Sequence, residues 1–236
     1  MNDISICMAT YNGGQFLHKQ IKSILDQLPA DAEFVISDDG STDNTIAIVN
    51  SFNDRRIKLI TNNSGFHGPV GNFSNALSNS SGEYIFLADQ DDVWIEGKLQ
   101  KHVQLMHQYE LVISDAIVIN ENNEVIFESY FKTRNVKRGL INNLLKNSFL
   151  GCCMSFKRSL LNQAMPFPTY IHMHDWWIGL VAELKGSSII FCDERFLLYR
   201  RHTANASTTL INKLPFLKRV TNRLGFITAL LLLKHK

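Results

Sequence analysis

Cysteine, proline and long apolar runs are all scarce in this chain, and each absence removes a class of protein. The four cysteines have neither the density of a disulfide-stabilised domain nor the CxxC spacing of a zinc site. Five prolines and no biased tract leave nothing that indicates a linker. No window reaches the roughly 18 apolar residues of a spanning helix, and no signal-peptide pattern is present. We therefore expect a cytoplasmic protein with reduced thiols, soluble or peripheral on the inner face of the membrane.

The sequence does contain the composition of a globular domain and a regular alternation of strand and helix patterns. It has 236 residues, of which 45% are hydrophobic and 19% charged. Apolar strand patterns begin near Ile4, Glu33, Ile57 and Glu83, and helical patterns separate them. This alternation predicts an α/β fold with a Rossmann-like, mostly parallel sheet flanked by helices, whose ligands collect at the carboxyl ends of the strands.

Three polar clusters follow three of these predicted strands. TYN begins at Thr10, DDGSTD at Asp38 and DQDD at Asp89. Carboxylates spaced as in DQDD suit a Mg²⁺ or Mn²⁺ diphosphate complex, although a solvated loop or a helix cap before the next helix is the alternative. DDGSTD is equally typical of an Asx turn with a helix cap at Ser41 or Thr42, while a carboxylate there also suits the N3–H of uracil or thymine. We expect the three clusters to converge on one crevice.

A family resemblance rests on five motifs in this order: CMATYNGG, VISDDGSTDNT, GNFSNAL, GEYIFLADQDDVW and MHDWW. Between about residues 3 and 205 the chain resembles family 2 glycosyltransferases with the GT-A fold, and within them bacterial rhamnosyltransferase-like enzymes of O-antigen or capsule assembly. The resemblance implies an inverting transferase that moves a sugar from a UDP- or dTDP-sugar, dTDP-rhamnose among them, to a hydroxyl of a glycan or lipid-linked oligosaccharide. It implies Mn²⁺ or Mg²⁺ as cofactor and no nucleic-acid partner.

The resemblance also implies roles for individual residues. Asp91 is the implied metal ligand, with Asp92 supporting it. His202 is implied to lie near the metal or the diphosphate and is expected to be a second metal ligand, although a lone histidine is more often ordinary polar surface or a satisfied core residue. Asn72 and Asn75 could face the donor sugar or merely solvent. The residues expected to contact the nucleotide-sugar are Thr10, Tyr11, Asn12, Asp39, Asn72, Asp89, Arg201 and His202.

Asp175, in MHDWW, matches the family position of the acidic residue that removes a proton from the acceptor hydroxyl. The neighbouring aromatic residues are expected to raise its pKa. The alternative is an N-cap for the helix predicted over 176–184. His174 stands where many relatives carry glutamate, which is a departure from the pattern.

The resemblance and the charge pattern divide the chain into a catalytic domain and a tail. We expect a GT-A domain over 1–205, with a nucleotide-sugar half at 1–115 and an acceptor half at 116–205. Nine Lys and Arg and no acidic residue follow Glu194. Apolar residues step by three and four through the basic tail at 206–236, as in a membrane-surface helix or a helix packed on the domain. They are Leu217, Val220, Leu224, Ile227 and Leu231.

Four other functions fit the sequence less well. A phosphatase with a DxD nucleophile would carry the pair after an early strand, whereas DQDD follows the fourth. A dinucleotide-dependent oxidoreductase would carry GxGxxG after the first strand. A pyrophosphorylase would open with a Gly-rich, basic phosphate loop. A catalytically inactive nucleotide-sugar-binding relative is the alternative that is not an enzyme, and the presence of Asp91 together with Asp175 argues against it.

Overall fold

The described part of the protein, in a computed structural model, comprises residues 3–202 and 216–234. The strands are β1 Ile4–Thr10, β2 Glu33–Asp38, β3 Ile57–Thr61, β4 Tyr84–Asp89, β5 Val93–Trp94, β6 Leu111–Asn120, β7 Val125–Phe127, β8 Met154–Lys157 and β9 Ile189–Arg201. The helices are α1 Leu17–Leu25, α2 Thr45–Ser51, α3 Gly68–Ser78, α4 Lys98–Met106, α5 Tyr130–Arg134, α6 Leu140–Leu145, α7 Arg158–Ala164, α8 His174–Lys185 and α9 Phe216–Lys234.

The strands form one sheet in the order β3-β2-β1-β4-β8-β6-β9-β5, with β7 paired to β6. β3, β2, β1 and β4 are parallel to one another, as the alternation of patterns predicted. β8 runs antiparallel to both of its neighbours, and β5 runs antiparallel to β9. The expectation of an α/β fold built on a Rossmann-like sheet is therefore confirmed.

The parallel part of the sheet brings the predicted polar clusters to one edge. Its strands are apolar on both faces because helices cover both sides, and residues 6–8 of β1 and 85–88 of β4 are fully buried. The strand registers pair Thr10 with Asp38 and Ala9 with Asp89. The ends of β1, β2 and β4 thus lie side by side.

The second half contains one strand that is longer than the local sequence pattern indicates. β9 is a single strand of 13 residues, although its apolar residues form two separate groups, at 189–191 and in FLLY at 196–199. β9 pairs in parallel with β6, and register shifts near Asp115 interrupt the pattern that a continuous strand would show. β8 begins at Met154 because a 3₁₀ turn, Gly151–Cys153, precedes it.

Two predicted helix caps are wrong. α2 begins at Thr45, and the carboxylate of Asp43 accepts a hydrogen bond from the Thr45 amide at 2.9 Å, so neither Ser41 nor Thr42 caps it. The N-cap of α8 is Met173, and Asp175 lies inside the first turn. Ser41 instead donates its hydroxyl to the carboxylate of Asp38, and Asp175 accepts the amide of Gly151.

α9 packs on the domain through one face and exposes another. Phe226, Ala229 and Leu230 are buried, whereas Leu224 and Leu231 of the predicted stripe are more than half exposed. Residues 206–215 of the predicted tail lie outside the described residues, as does the side chain of Leu217. Among the described helices, none has the length and apolar character needed to cross a bilayer.

Candidate active site

A cavity of about 590 Å³ opens at the carboxyl ends of β1, β2 and β4. This volume lies within the roughly 300–1,000 Å³ of small-molecule sites. Asn12, Arg201 and His202 do not line it. The predicted site residues that do line it are Thr10, Tyr11, Asp39, Asn72, Asp89, Asp91 and Asp175. The expected convergence of the three clusters is therefore observed.

The cluster DDGSTD contains both the turn and the candidate binding residue, because Asp38 and Asp39 make different contacts. Asp38 makes the Asx turn, because its carboxylate accepts the amides of Gly40 and Ser41 at 3.0 and 2.9 Å. Asp39 lines the cavity instead. Its carboxylate is held from the other side by the Asn62 side chain at 2.8 Å and the Gly68 amide at 2.7 Å. A carboxylate fixed in this way has a defined orientation toward a ligand.

His67 is a further partner of Asp39 that the sequence did not indicate. Its Nδ1 lies 2.7 Å from Oδ1 of Asp39, and its side chain is exposed. It lies in the glycine-rich stretch before α3, where a histidine follows no periodic pattern.

The TYN turn is tied to the end of β4 and to the loop after β2. The hydroxyl of Thr10 and the amide of Tyr11 both donate to Oε1 of Gln90, at 2.7 and 2.9 Å. Asn12 adopts a positive φ of 47° and its side-chain carbonyl accepts the Thr42 amide at 2.8 Å. Asn12 is thus a turn residue that joins two loops. The ring of Tyr11 is 55% exposed at the cavity and available to stack on a planar ligand.

Gln90 lines the cavity and was not predicted as a site residue. A Cβ at Gly13 would lie 2.3 Å from Oε1 of Gln90, so this close approach requires glycine. The sequence feature that could have identified Gln90 as a site residue is its position inside DQDD.

Asn72 and Asn75 lie on the same helix but differ in their contacts. Asn75 donates to the hydroxyl of Ser37 at 2.8 Å, which makes it a packing contact between α3 and β2. Asn72 donates to the carbonyl of Thr10 at 3.0 Å, and its Oδ1 is buried without a hydrogen-bond partner among the described residues. A buried carbonyl left in this way costs free energy unless a ligand donates to it.

The carboxylates after β4 have three different environments. Oδ2 of Asp91 lies 2.8 Å from Nε2 of His202, so the two predicted metal ligands meet although 111 residues separate them. Burial, followed by the charges of Asp91 and Asp175, raises the pKa of Asp89 to about 7. Asp92 is fully buried and its Oδ1 accepts the Arg200 amide at 2.8 Å. Asp92 therefore holds β9 in place.

A second group of candidate metal ligands lies beneath this site. The ligand atoms of Asp89, Asp92 and Cys152 all lie within 4.8 Å of one another. Burial raises the pKa of Asp92 and of the Cys152 thiol well above their usual values, and because a thiol already titrates above neutral pH, Cys152 holds its proton there. A protonated thiol is a poor ligand for a hard cation. Of the two groups, Asp91 with His202 fits Mn²⁺ or Mg²⁺ better.

The two arginines before His202 point in different directions. Arg200 is buried; its Nε donates to the carbonyl of Asp91 at 2.8 Å, and its guanidinium lies 4.6 Å from the Phe16 ring. Arg201 donates to the Tyr199 hydroxyl at 3.1 Å, and Tyr199 lines the cavity. Arg200 therefore stabilises the DQDD turn, and Arg201 stands behind the cavity wall.

Asp175 lines the same cavity from the first turn of α8. It is 3% exposed, and its two oxygens accept the amides of Gly151 and Trp176 at 3.0 and 2.6 Å. Burial raises the pKa of Asp175 to about 6, and the two amide hydrogen bonds limit the rise. A Cβ at Gly151 would approach that of Asp175 to 3.2 Å, which explains the glycine. A carboxylate with this pKa is ionised at neutral pH and basic enough to take a proton.

His174 is the neighbour of Asp175 on the cavity wall. Its ring stacks on Phe73 with centroids 3.9 Å apart, and neither ring nitrogen has a hydrogen-bond partner among the described residues. Burial lowers the pKa of His174 to about 3, so the ring is neutral. A neutral histidine adds no charge beside Asp175, whereas an ionised glutamate at this position, as the resemblance implies for many relatives, would add a negative one.

The family model for glycosyl transferase family 2 matches residues 5–164. The chain therefore belongs to the family 2 glycosyltransferases. It is 32% identical to the UDP-Glc:alpha-D-GlcNAc-diphosphoundecaprenol beta-1,3-glucosyltransferase WfgD of Escherichia coli, over 94% of this chain and 85% of that protein. It is 27% identical to the dTDP-rhamnosyl transferase RfbG of Shigella flexneri, over 84% of this chain and 72% of that protein. The resemblance to bacterial enzymes of this kind is confirmed.

Solved structures support the same fold. S. aureus TarS 1-349 in complex with UDP-GlcNAc superposes with a TM-score of 0.69 at 21% identity, over 87% of this chain and 60% of that one. The mannosyltransferase PcManGT from Pyrobaculum calidifontis, in complex with GDP-Man and Mn²⁺, superposes with a TM-score of 0.66 at 18% identity. The match covers 97% of this chain and 69% of that one. The chain thus spans about three fifths to two thirds of these structures, and it has the GT-A fold.

Proposed function

We propose that this protein is a metal-dependent, inverting glycosyltransferase that moves a sugar from a UDP-sugar to a hydroxyl of a lipid-linked oligosaccharide in bacterial surface polysaccharide synthesis. The observation that carries the proposal is that Asp39, Asp91 and Asp175 line one cavity of suitable volume. We call the side with Asp39 and Asp91 the donor end, and the side with Asp175 the acceptor end.

At the donor end, Asp39 and Tyr11 are the proposed nucleoside contacts. The fixed carboxylate of Asp39 would accept the N3–H of a uracil or thymine ring, and the exposed ring of Tyr11 would stack on that base. Thr10 and Asn12 act through the turn that presents Tyr11. We assign the ribose or the sugar to Asp89, as the family resemblance implies.

Asp91 and His202 are the proposed metal ligands. They lie in contact, and a carboxylate with an imidazole favours Mn²⁺ over the harder Mg²⁺. The Mn²⁺ in the PcManGT complex supports this choice for the fold. A divalent cation held there would offset negative charge on the departing diphosphate. Arg201 is expected to contact the nucleotide-sugar through its diphosphate, and this contact remains a prediction.

Asn72 is the proposed contact to the donor sugar. Asn72 lines the cavity, and its Oδ1 is buried and lacks a hydrogen-bond donor among the described residues, so a sugar hydroxyl would satisfy it. Asn75 has no such role, because its amide donates to Ser37.

Asp175 is the proposed general base. As the acceptor oxygen forms its bond to the anomeric carbon, the proton of that hydroxyl passes to the Asp175 carboxylate. The bond from the anomeric carbon to the diphosphate breaks on the opposite face, and the electron pair leaves with the diphosphate. The direct displacement inverts the anomeric centre and needs no covalent enzyme intermediate.

UDP-glucose is the first donor to test. The glucosyltransferase WfgD is more similar to this chain than the rhamnosyltransferase RfbG is, at 32% against 27% identity. dTDP-rhamnose is the second donor. The sugar diphosphoundecaprenol in the name of WfgD supports an acceptor whose first sugar is attached to a lipid diphosphate.

We further propose that residues 1–115 bind the nucleotide-sugar and residues 116–205 bind the acceptor. Asp39 and Asp91 come from the first segment and Asp175 from the second. An acceptor attached to a membrane lipid would place the protein at the cytoplasmic face of that membrane, as a peripheral protein.

Nucleoside diphosphate release tests the proposal. The purified full chain is incubated with Mn²⁺ and each of a panel of UDP- and dTDP-sugars, with and without a short-chain prenyl-diphosphate GlcNAc acceptor. We expect turnover of one donor, abolished by a chelator and by Asp91→Asn. If no donor turns over or binds, the chain is not this transferase. If a donor binds but neither release nor transfer occurs, the inactive nucleotide-sugar-binding alternative is correct.

A further inference from the structure

The charges of this protein are segregated along its sequence. Residues 129–174 contain seven Lys and Arg, residues 195–236 contain nine, and neither segment contains an aspartate or glutamate. All 22 acidic residues therefore share the rest of the chain with only eight of the 24 Lys and Arg. The two cationic segments supply α5, α6 and α9, so the chain has a basic region that its net charge of +2 conceals.

Exposed apolar side chains lie on α6 and α9 within this basic region. Five of them are between 40% and 74% exposed. α6 and α9 are joined by Arg223, whose guanidinium donates to the carbonyls of Leu144 and Leu145. We call these side chains the α6–α9 surface: Ile141, Leu145, Leu224, Ile227 and Leu231.

This surface is separate from the face that holds α9 on the domain. The inner face carries Phe226, whose ring lies 4.6 Å from that of Trp176, together with the buried Ala229 and Leu230. The steps of three and four from Leu224 to Ile227 and Leu231 run along the outer face. α9 therefore has a packed apolar face and a second apolar face that the described structure leaves in water.

The α6–α9 surface borders the acceptor end of the cavity. Asn147 and Phe149, which follow α6, line the cavity, as does His172 before α8. The ring of His172 lies 5.0 Å from that of Phe226 on the inner face of α9. One helix, about 10 Å across, thus separates the exposed face of α9 from the wall that carries Asp175.

A second exposed apolar strip provides a contrast. Val125, Ile126 and Phe127 of β7 are 41% to 53% exposed, but Glu124 and Glu128 flank them. Anionic lipid would repel that strip. The α6–α9 surface instead has exposed Lys146 and Lys218 on its own helices or directly beside them, and no acid nearby in sequence.

We propose that the α6–α9 surface inserts into the interface of a bilayer that contains anionic lipid, and holds the acceptor end of the cavity beside the lipid phase. Apolar side chains enter the boundary between headgroups and acyl chains, while lysines attract the anionic headgroups. The role in presenting an acceptor rests on the proposed function, because it requires the acceptor to be lipid-linked. A second copy of the chain is the less favourable occupant, since two basic regions would face each other.

Vesicle co-sedimentation of the full chain tests this proposal. Vesicles of phosphatidylglycerol and phosphatidylcholine in equal parts are compared with phosphatidylcholine alone. We expect binding to the anionic vesicles that weakens as salt is raised, and little binding to the neutral ones. Leu224→Ser/Ile227→Ser should weaken binding at least about tenfold, because each side chain loses apolar area buried in the interface. The matched control Val125→Ser/Ile126→Ser on β7 should bind like the original chain.

Three results would overturn the proposal: no binding to either vesicle, equal binding to both, or unchanged binding of Leu224→Ser/Ile227→Ser. A chain that is dimeric by light scattering and becomes monomeric in that variant would assign the surface to a second copy instead. Nucleoside diphosphate release without vesicles should be unaffected by the variant. Loss of release from every form would count against the proposed function, whereas loss of vesicle binding alone counts against the membrane surface.

Discussion

The donor and acceptor ends of the cavity are held together in different ways. At the donor end, polar side chains fix one another across strand ends, as Asn62 fixes Asp39 and His202 meets Asp91. At the acceptor end, backbone amides hold Asp175 in a wall of aromatic side chains. The contact between Asp91 and His202 suits a divalent cation, which would offset the charge of a diphosphate, while a single buried carboxylate suits proton removal. The proposed roles therefore predict that binding and proton transfer depend on different residues, and that each can be lost without the other.

The largest expected effect is at the acceptor end. Asp175→Asn removes the base while keeping the shape of the side chain, so kcat should fall by about 10³-fold. Affinity for UDP in the presence of Mn²⁺ should change less than about threefold. Transfer kinetics and calorimetry measure the two quantities. A variant that loses UDP binding as severely as transfer would mean that the two ends are not separate.

The next effect is at the donor end. Asp91→Asn should lower kcat/KM by about 10²- to 10³-fold, because the charge that offsets the diphosphate is lost with the metal. Asp92→Asn is the matched control: its carboxyl is buried and accepts the Arg200 amide, and an asparagine Oδ1 can accept the same hydrogen bond, so kcat/KM should stay within about fivefold. Equal losses in both variants would show that the whole cluster, rather than Asp91, holds the metal.

The pH dependence of the transfer rate tests the role of Asp175 at the acceptor end without a substitution in the original chain. Asp175 has its pKa raised to about 6 and works as a base only when ionised. The rate of transfer should be level above that pH and fall about tenfold per unit below it. The residual rate of Asp175→Asn should lack this fall. If the variant keeps the same profile, another group is responsible.

Asn72 provides the smallest and most local effect. Asn72→Ala should lower kcat/KM by about tenfold or less, the value of one hydrogen bond to a sugar hydroxyl, and leave affinity for UDP unchanged. Asn75→Ala, three residues away, should lower the melting temperature without a change in KM. Reversed results would assign the sugar contact to Asn75.

The sequence predicted the convergence of the three polar clusters because their residues lie in short motifs at strand ends. The residues of a contiguous motif such as DQDD stay close together wherever β4 lies in the sheet. The strands β1 to β4 are parallel, as their spacing in the sequence predicted. Gln90 and His67 were missed because their roles depend on contacts with residues 28 to 80 positions away.

The second half was less predictable for the same physical reason. β9 continues past its exposed residues 193–195 because β6 pairs with it on both sides of a register shift there, which no local pattern records. The buried face of α9 is set by Trp176 and His172 rather than by the stripe of Leu224, Ile227 and Leu231. An apolar stripe identifies a helix, but only the tertiary contacts show which face is packed.

Titration calorimetry of UDP against the original chain, Asp91→Asn and Asp175→Asn, each with and without Mn²⁺, tests the separation of the two ends most directly. The account predicts that Mn²⁺ tightens UDP binding at least about tenfold in the original chain and in Asp175→Asn, and has no effect in Asp91→Asn. An equal response to Mn²⁺ in all three, or no response in any of them, would contradict it.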